Sequence, residues 1–299
     1  MDFVVTVDRL PAPGETTLGR DFQMLPGGKG GNQACAAGKL GASTSVRMIG
    51  RVGYDVFGDH LKASLSAAGV DVSGVHATRS LPTGVALIWV DRIGQNSIVV
   101  ASGANHAMLA SDVEAMRPAF RGARFALFQL ESPVDAVAAA IKVARSEGAR
   151  TMLDPAPAQP LSPDLLASVD ILTPNEIEAS ILLGVPPGRV SNEDAPQLAR
   201  RLRERGPRAV ALKLGDQGCF YLDEANEIFT PGFAVSARDA TAAGDIFNGA
   251  LAVALAEDRP IAEALRFANA AAAISVTRLG AQPSVPSRAE VDSFLANHR

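Results

Sequence analysis

The sequence has few of the residues that mark several protein classes. It contains two cysteines, four histidines and 5% aromatic residues in 299 positions. Cys35 and Cys219 lie far apart without a CxxC spacing, so we expect two small buried apolar residues in a reducing compartment. The histidines are scattered, which argues against a histidine-based metal site. No apolar run reaches the roughly 18 uncharged residues of a membrane span. The first residues, MDFVVTVDR, lack the positively charged region of a signal peptide. We therefore expect a cytoplasmic protein with no membrane partner.

The charge balance also excludes a class of partner. The net charge is −4 and no basic run occurs, whereas a nucleic-acid surface needs a concentration of Lys and Arg. Hydrophobic residues make up 47% and charged residues 20%, which is ordinary for a globular protein. The length suits one large domain, or one domain with a small appendage.

Short apolar runs alternate with longer Ala/Leu-rich segments of helical periodicity. This alternation predicts an α/β fold, with a doubly wound, mostly parallel sheet flanked by helices. The predicted strands are 45–49, 125–130, 151–154, 170–174 and 209–214, and the predicted helices include 133–147, 175–183 and 192–205. After residue 245 an amphipathic helix and a second, Ala-rich helix follow.

Residues 81–102 interrupt this alternation. They contain two strand-like runs joined around residues 91–95, which predicts a β-hairpin. The N-terminal FVVTV and the segment near 16–24 also look extended. We expect a small β-sheet formed by about 1–24 and 81–102, set apart from the main body. No repeat or flexible linker divides the chain, so residues 1–299 are predicted to form one domain.

A glycine-rich segment, PGGKGGNQACAAGKLG, covers residues 26–41. Its glycines would let a ligand approach the backbone closely, and we expect a helix to open near Asn32. It is not a P-loop, which needs GK[ST], and Gln33 stands where a dinucleotide fingerprint requires its last glycine. A nicotinamide-dependent oxidoreductase is therefore disfavoured. The segment alone leaves an ordinary strand-to-helix turn as an open alternative.

Polar side chains follow two of the predicted strands. Glu131 comes after one of them, and Asn175 and Glu178 come after another, three residues apart on a first helical turn. Ligands of parallel sheets bind at the carboxyl ends of strands. Taken singly, Glu178 is better explained as a first-turn acid that the helix dipole favours.

The segment DATAAGDIFNGA, residues 239–250, strengthens the functional interpretation. Asp245 could be an ordinary N-cap, but a cap does not require three small residues before it. Small residues leave the N–H groups of residues 242–245 exposed at a helix N-terminus. Such a terminus accommodates an anion or a phosphoryl group in transfer, and a carboxylate beside it could take a proton from a hydroxyl.

Eight collinear motifs identify a resemblance over nearly the whole chain. They are PGGKGGNQACAAGKLGA, PTGVALIWV, SGAN, QLESP, DPAPA, DILTPNEIEA, DATAAGDIFNGA and RFANAAAAISVTRLGAQPSVP. The chain resembles the ribokinase (phosphofructokinase-B) family of sugar kinases. The resemblance implies a doubly wound α/β body with a small β-sheet lid over the sugar, and a homodimer formed through that lid. It also implies MgATP-dependent phosphorylation of D-ribose at its 5-hydroxyl.

The resemblance also implies roles for individual residues. Asp245 matches the general base, and the amides of Ala242, Ala243 and Gly244 match the anion hole. The implied sugar contacts are Asp2, Gly28, Lys29, Asn32 and Glu131, with Ala86 and Ile88 as apolar lid contacts. On the nucleotide side they are Asn175 and Glu178, which act on Mg²⁺ and phosphates through water, with Lys213, Gly215, Gly244 and Asn269. The implied monovalent-cation loop, typically binding K⁺, contains Asp239, Thr241, Gly280 and Ser284.

Two positions depart from the family pattern. Lys213 replaces the threonine of the ribokinase TLG segment. At the N-terminus, relatives have an apolar strand that ends in Asn-x-Asp, and here Met1 takes the middle place of that triplet. Asp2 remains, and we expect an earlier start site or a shortened chain. A sheet without this strand would expose unpaired backbone groups, so we expect lower stability than in relatives.

Two other functions stay open at this point. The same chemistry could act on fructose, deoxyribose or a nucleoside, because Asp2, Asn32 and Glu131 suit polyhydroxy ligands in general. A chain without its first strand could also bind sugar or nucleotide without turnover.

Overall fold

The computed structural model describes residues 1–92 and 95–298. Its strands are β1 (Asp2–Thr6), β2 (Asp21–Leu25), β3 (Val46–Gly53), β4 (Val70–Thr78), β5 (Val85–Val90), β6 (Asn96–Ala101), β7 (Phe125–Phe128), β8 (Arg150–Leu153), β9 (Ile171–Leu172), β10 (Ala209–Lys213), β11 (Gly218–Leu222) and β12 (Glu227–Pro231). Its helices are α1 (Lys29–Leu40), α2 (Val56–Ala67), α3 (Ala110–Ala115), α4 (Val134–Ser146), α5 (Pro163–Ala167), α6 (Glu176–Leu183), α7 (Ala195–Arg203), α8 (Ala243–Ala256), α9 (Ile261–Ser275) and α10 (Arg288–Asn297).

The largest sheet has six strands in the order β12-β11-β10-β9-β8-β7. Strands β7 to β10 pair in parallel, and β11 and β12 add antiparallel strands at one edge. The strands from β8 to β11 are almost fully buried, because helices cover both faces of the sheet. This burial explains why they read as continuous apolar runs in the sequence.

A separate four-stranded sheet has the order β2-β1-β5-β6. Strands β5 and β6 form the predicted hairpin, with Ile88 opposite Ile98. Of the expected connecting turn, residues 93 and 94 lie outside the described residues. The segments 2–6, 21–25, 85–90 and 96–101 that form this sheet agree with the extended regions expected from the sequence.

The parallel pair β3-β4 forms a sheet of its own, which the sequence did not indicate. Within the described residues, β3 pairs only with β4, and β7 pairs only with β8. A cavity of about 770 Å³ lies between them, lined by residues 46–52 of β3 and 125–129 at β7. One continuous sheet is therefore replaced by two sheets with a cavity between their facing edges.

Helix α1 begins earlier than expected. It starts at Lys29, with Gly28 at φ 88° as the preceding residue, and not near Asn32. Glycines disfavour helix interiors, but the first turn of a helix leaves its amides free. The amide of Lys29 donates to Glu131 Oε2 at 2.9 Å, which holds this turn in place.

Helices α1 and α8 pack directly against each other. A Cβ atom on Gly249 of α8 would lie 2.6 Å from the carbonyl oxygen of Gln33 and 2.7 Å from Cβ of Ala36. Glycine at position 249 therefore permits a close crossing of the two helices. This crossing brings the start of α1 beside the start of α8.

Within residues 1–92 and 95–298, no helix combines the length and apolar character needed to cross a membrane.

Candidate active site

Asp245 lies in the first turn of α8 and is buried, with 6% of its surface exposed. Its Oδ2 accepts a hydrogen bond from Asn32 Nδ2 at 3.0 Å, and its Oδ1 accepts one from Gln33 Nε2 at 3.0 Å. Both donors belong to α1. The structure therefore joins the glycine-rich segment and the AAGD segment, which are more than 200 residues apart in the chain.

Burial raises the pKa of Asp245 from 3.8 to about 6. The Lys29 ammonium opposes this rise, the carboxylate of Asp154 adds to it, and the amides of Asn32 and Gln33 oppose it. A carboxylate whose pKa lies close to neutral pH is suited to accept a proton from an alcohol in a transfer reaction.

The residues before Asp245 form an exposed helix N-terminus. Ala242 precedes α8 with φ 59°, a left-handed conformation that is rare outside glycine. The amide of Ala243 donates to the carbonyl of Ala240 at 3.2 Å. In the part of the chain that the structure describes, the amides of Ala242, Gly244 and Asp245 have no acceptor. Two of the three predicted anion-hole amides are thus free, and Asp245 supplies a further one.

The backbone strain at Ala242 leads to a stability prediction. A left-handed conformation costs a non-glycine residue about 1–2 kcal/mol, and glycine gives back about 0.4–1 kcal/mol through its freer unfolded chain. We expect Ala242→Gly to raise the free energy of unfolding by roughly 0.5–1 kcal/mol. Urea unfolding would measure this, and a variant no more stable than the parent would contradict it.

The expected sugar-binding residues gather beside Asp245. Lys29 starts α1, next to Gly28, and its amide contacts the Glu131 carboxylate. The pKa of Lys29 is raised although burial opposes it, because the carboxylates of Asp245, Asp154 and Glu131 surround the ammonium. The carboxylate of Asp2 lies against Gly27, and burial raises its pKa. These groups form a polar cluster at the cavity end lined by Gly28 and Glu131.

The absence of a side chain at Gly27 leaves room for the Asp2 carboxylate in this cluster. A Cβ atom at position 27 would lie 2.0 Å from Oδ2 of Asp2. We expect Gly27→Ala to displace this carboxylate; with Asp2 as the sugar contact that the resemblance implies, KM for the sugar should rise at least about tenfold, since a hydrogen bond to a charged group is worth about 1.5–3 kcal/mol. Gly188→Ala is the matched control, because nothing lies within 4 Å of a Cβ there. A KM within twofold of the parent, at saturating nucleotide, would contradict the prediction.

Ala86 and Ile88 lie on one face of β5. Ala86 is opposite Asp2 in the parallel register of β1 and β5, and Ile88 is opposite Val4. Side chains that face each other in this way project from the same side of the sheet. Ala86 and Ile88 therefore share the face that carries Asp2.

On the other side of Asp245, Lys213 ends β10. Its Nζ donates to Asp154 Oδ1 at 3.0 Å, and only 12% and 3% of the two side chains are exposed. A Cβ on Gly244 would lie 3.2 Å from the same Nζ, so the ammonium is adjacent to the free amides. Gly215 follows two residues later with φ 58°. The structure thus places a cation beside the predicted anion hole.

Asn175 and Glu178 form a reciprocal cap at the start of α6. Asn175 Oδ1 accepts from the Glu178 amide at 2.8 Å, and Glu178 Oε2 accepts from the Asn175 amide at 2.7 Å. The structural interpretation of this pair is therefore correct as far as it goes. Glu178 is nevertheless buried, and burial raises its pKa. The Lys213 ammonium opposes this rise, and the carboxylate of Asp154 adds to it. The Glu178 carboxylate of this cap therefore lies within electrostatic reach of Lys213 and Asp154.

Asn269 has a structural contact that the sequence did not indicate. Its Nδ2 donates to the backbone carbonyls of Thr230 at 3.0 Å and of Pro231 at 3.2 Å. Both amide hydrogens are used in this way. A contact with adenine at this position would have to involve the side-chain oxygen.

The expected cation loop is held together by Asp239. One carboxylate oxygen accepts from the Thr241 amide at 2.9 Å and the other from the Gly280 amide at 2.8 Å. Burial raises the pKa of Asp239, but these hydrogen bonds outweigh it and lower the pKa overall. Ser284 belongs to the following turn, where its hydroxyl donates to the carbonyl of Ala281 at 2.8 Å.

Sequence reasoning missed two residues of the site. Gln33 was noted only as a departure from a dinucleotide motif, and Asp154 only as the end of a strand. Gln33 Nε2 donates to Asp154 Oδ2 at 3.0 Å as well as to Asp245. Asp154 could have been found by the rule that identified Glu131, because it directly follows β8 at the same sheet edge.

Known proteins are similar to the chain over nearly its whole length. The pattern described as pfkB family carbohydrate kinase matches residues 1–288. The chain belongs to this family of sugar kinases. A ribokinase of Haemophilus influenzae is 41% identical over 295 residues, 98% of this chain and 95% of that protein. The crystal structure of a ribokinase from Thermotoga maritima has a TM-score of 0.87 at 38% identity, and covers 99% of this chain and 96% of its own.

A third relative has a solved complex. The structure of an Arabidopsis thaliana ribokinase complexed with ribose and ATP has a TM-score of 0.88 at 35% identity, with 98% of this chain and 95% of that chain covered. The family assignment and the α/β fold predicted from the sequence are confirmed. This member of the pfkB family therefore carries its buried carboxylate and free helix amides in a fold shared with ribokinases.

Proposed function

We propose that the protein transfers the terminal phosphoryl group of ATP to the 5-hydroxyl of D-ribose. The observation that carries the proposal is the pairing of a buried carboxylate, Asp245, with free amides at the start of its own helix. The similarity to ribokinases, one of them complexed with ribose and ATP, supports ribose as the acceptor.

In the proposed step, Asp245 takes the proton of the 5-hydroxyl while the oxygen attacks the terminal phosphorus. The bond between that phosphorus and its bridging oxygen breaks, and ADP leaves. The free amides of Ala242 and Gly244 and the Lys213 ammonium stabilise the negative charge of the moving group. The proton remains on Asp245 and passes to solvent after the products leave.

The sugar is proposed to be oriented by the polar cluster at the start of α1. The Oδ1 of Asn32 is buried and has no hydrogen-bond partner in the described residues, so it can accept a bond from a sugar hydroxyl. The carboxylates of Asp2 and Glu131 can accept further hydroxyls, and the Gly28 backbone and the Lys29 ammonium complete the cluster. Ala86 and Ile88 would cover an apolar face of the sugar.

We assign the nucleotide to the side formed by Lys213, Gly215, Gly244 and Asn269. Magnesium would be bound with ATP near Asn175 and Glu178, and a buried carboxylate oxygen is the donor type that this hard cation prefers. When bound, the ion would neutralise phosphate charge. We assign the potassium site to the loop of Asp239, Thr241, Gly280 and Ser284. In this loop the Asp239 carboxylate accepts hydrogen bonds from the backbone amides of Thr241 and Gly280.

The acceptor is tested by ADP release with D-ribose, 2-deoxyribose, fructose and adenosine at equal concentrations. We expect ribose to have the highest kcat/KM, with the product phosphorylated at its terminal hydroxyl by ³¹P NMR. A preference of more than tenfold for another acceptor would replace ribose. Calorimetry that shows binding of both substrates without ADP formation would favour a binding protein without turnover.

The four-stranded sheet is proposed to be a lid and, through its outer face, a homodimer contact. Strand register aligns Met24, Phe3, Leu87 and Val99 in one row across the sheet. Met24, Leu87 and Val99 are 53%, 42% and 54% exposed, which is unusual for large apolar residues lying together. A second copy of the same sheet would cover this row. We place this dimer in the cytoplasm, in keeping with the two free cysteines.

The dimer leads to a prediction about Leu87. We expect Leu87→Glu to shift the protein from dimer to monomer in light scattering, because the charge would be buried in the contact. Ile181→Glu is the matched control, since Ile181 is also 42% exposed but lies on α6. A parent protein that is already monomeric, or a Leu87→Glu variant that remains dimeric, would contradict the lid contact.

A further inference from the structure

Gln33 connects two buried carboxylates that belong to opposite sides of the site. Its Nε2 donates to Asp245 Oδ1 and to Asp154 Oδ2, both at 3.0 Å. The side chain is only 2% exposed. An amide nitrogen has two hydrogens, so each carboxylate receives one.

The orientation of this amide is fixed by a third residue. Gln129 Nε2 donates to Gln33 Oε1. Because both aspartates can only accept when ionised, the nitrogen of Gln33 must face them and the oxygen must face Gln129. No rotation of the amide would satisfy all three neighbours, and the bridge has one geometry.

The bridge continues to the nucleotide side through Asp154. Asp154 Oδ1 accepts from Lys213 Nζ at 3.0 Å, and that ammonium lies beside Gly244 of the anion hole. A continuous buried path therefore runs Asp245–Gln33–Asp154–Lys213. Its first member is the proposed base, and its last is the cation nearest the proposed phosphoryl path.

Four carboxylates and two ammonium groups act on one another around this path. Asp245 and Asp154 are negative and lie on either side of one neutral amide. Lys29 acts on Asp245 from α1, and Lys213 pairs with Asp154 from β10. Glu131 after β7 and Glu178 of α6 also act on Lys29. Without the amide hydrogens, the two aspartates would face each other with no donor between them, which favours protonation of one of them.

From this geometry we propose that Gln33 and Asp154 are positioning residues of the kinase reaction: together they hold the general base and the phosphate-side lysine at a fixed separation, and the amide hydrogens of Gln33 keep the base ionised beside the negative charge of Asp154. The proposal rests on the assignment of Asp245 as base. Gln33 acts through Asp245, and Asp154 acts through Lys213. Neither residue is therefore assigned a contact with the reacting atoms.

The test compares the acid limb of the kcat/KM profile in two variants. Gln33→Met keeps the size of the side chain but removes both amide hydrogens. We therefore expect the apparent pKa of the acid limb to rise by about one unit. Asp154→Asn removes the negative charge that raises the pKa of Asp245, so we expect the limb to move down by about one unit. Asp154→Asn also removes the negative partner of Lys213 and weakens its hold on that ammonium, so KM for ATP should rise, whereas Gln33→Met should chiefly lower kcat.

Asp170→Asn controls for simple destabilisation. Asp170 is another buried aspartate, and it accepts from Thr151, at the opposite end of β8 from Asp154. We expect this variant to lower the melting temperature without moving the limb. Limbs that stay within 0.2 units of the parent in both test variants, or move in the same direction, would overturn the bridge. If Asp245→Asn retained activity, the proposed base itself would fail, and the two failures are thus distinguishable.

Discussion

Replacing Asp245 by Asn is expected to lower kcat by about 10²–10⁴, the usual contribution of a positioned general base. Asparagine has nearly the same shape and can still accept a hydrogen bond through its Oδ1. It cannot take the proton of the acceptor hydroxyl. Asparagine offers an acceptor to only one of the two α1 donors that face Asp245, so one of these hydrogen bonds is lost. The main effect is expected on kcat, because the group that is removed is the proton acceptor.

The pH profile of the parent provides a second measurement of the same group. Asp245 must be ionised to accept a proton, and burial raises its pKa to about 6. We expect kcat/KM to fall as the pH drops below about 6 and to be level above it. The Asp245→Asn variant should lack this limb. Asp170→Asn, at the far end of the sheet, should keep both the rate and the limb. If the Asp245→Asn variant retained a rate within a few-fold of the parent, another group would be the base.

The sequence was informative where one local rule determines the outcome. Buried parallel strands must be apolar on both faces, so β7, β8 and β10 were recognisable as short continuous runs. Asp245 was recognisable because an N-cap does not explain the small residues before it. The start of α1 was missed, because glycines lower helix propensity and the contact that holds Lys29 comes from Glu131, 102 residues away.

Long-range partners account for the other differences. Gln33 lies within a helix that reads as ordinary in sequence, and its two acceptors are 121 and 212 residues away. No periodicity or spacing rule connects positions at such distances. The separation of β3-β4 from the six-stranded sheet that ends at β7 was not predicted for the same reason. Each strand is visible in the sequence, but which strands pair depends on contacts across the whole sheet. Several residues that the structure brings together around Asp245 were thus named from the sequence, and the hydrogen bonds that connect them were not.

The crossing of α1 and α8 leads to the second prediction of large effect. In a helix interior, Gly→Ala normally stabilises by about 0.5–1 kcal/mol. At position 249 the added Cβ would lie 2.6 Å from the Gln33 carbonyl oxygen and 3.1 Å from the Ala37 amide nitrogen. These are backbone atoms and cannot move away without shifting α1. Overpacking of this kind costs about 1–3 kcal/mol, so we expect Gly249→Ala to lower the free energy of unfolding despite its better helix propensity.

The same shift should reduce activity, because α1 carries Asn32 and Gln33 and α8 carries Asp245. A displacement of the helices by a few tenths of an ångström would lengthen both 3.0 Å hydrogen bonds to the base. We expect kcat to fall at least tenfold, a loss of about 1.4 kcal/mol of transition-state stabilisation. Urea unfolding and steady-state kinetics on one preparation measure the two effects, with Gly188→Ala as control. A more stable, fully active Gly249→Ala variant would show that helix propensity, and not the crossing, determines the effect of this residue.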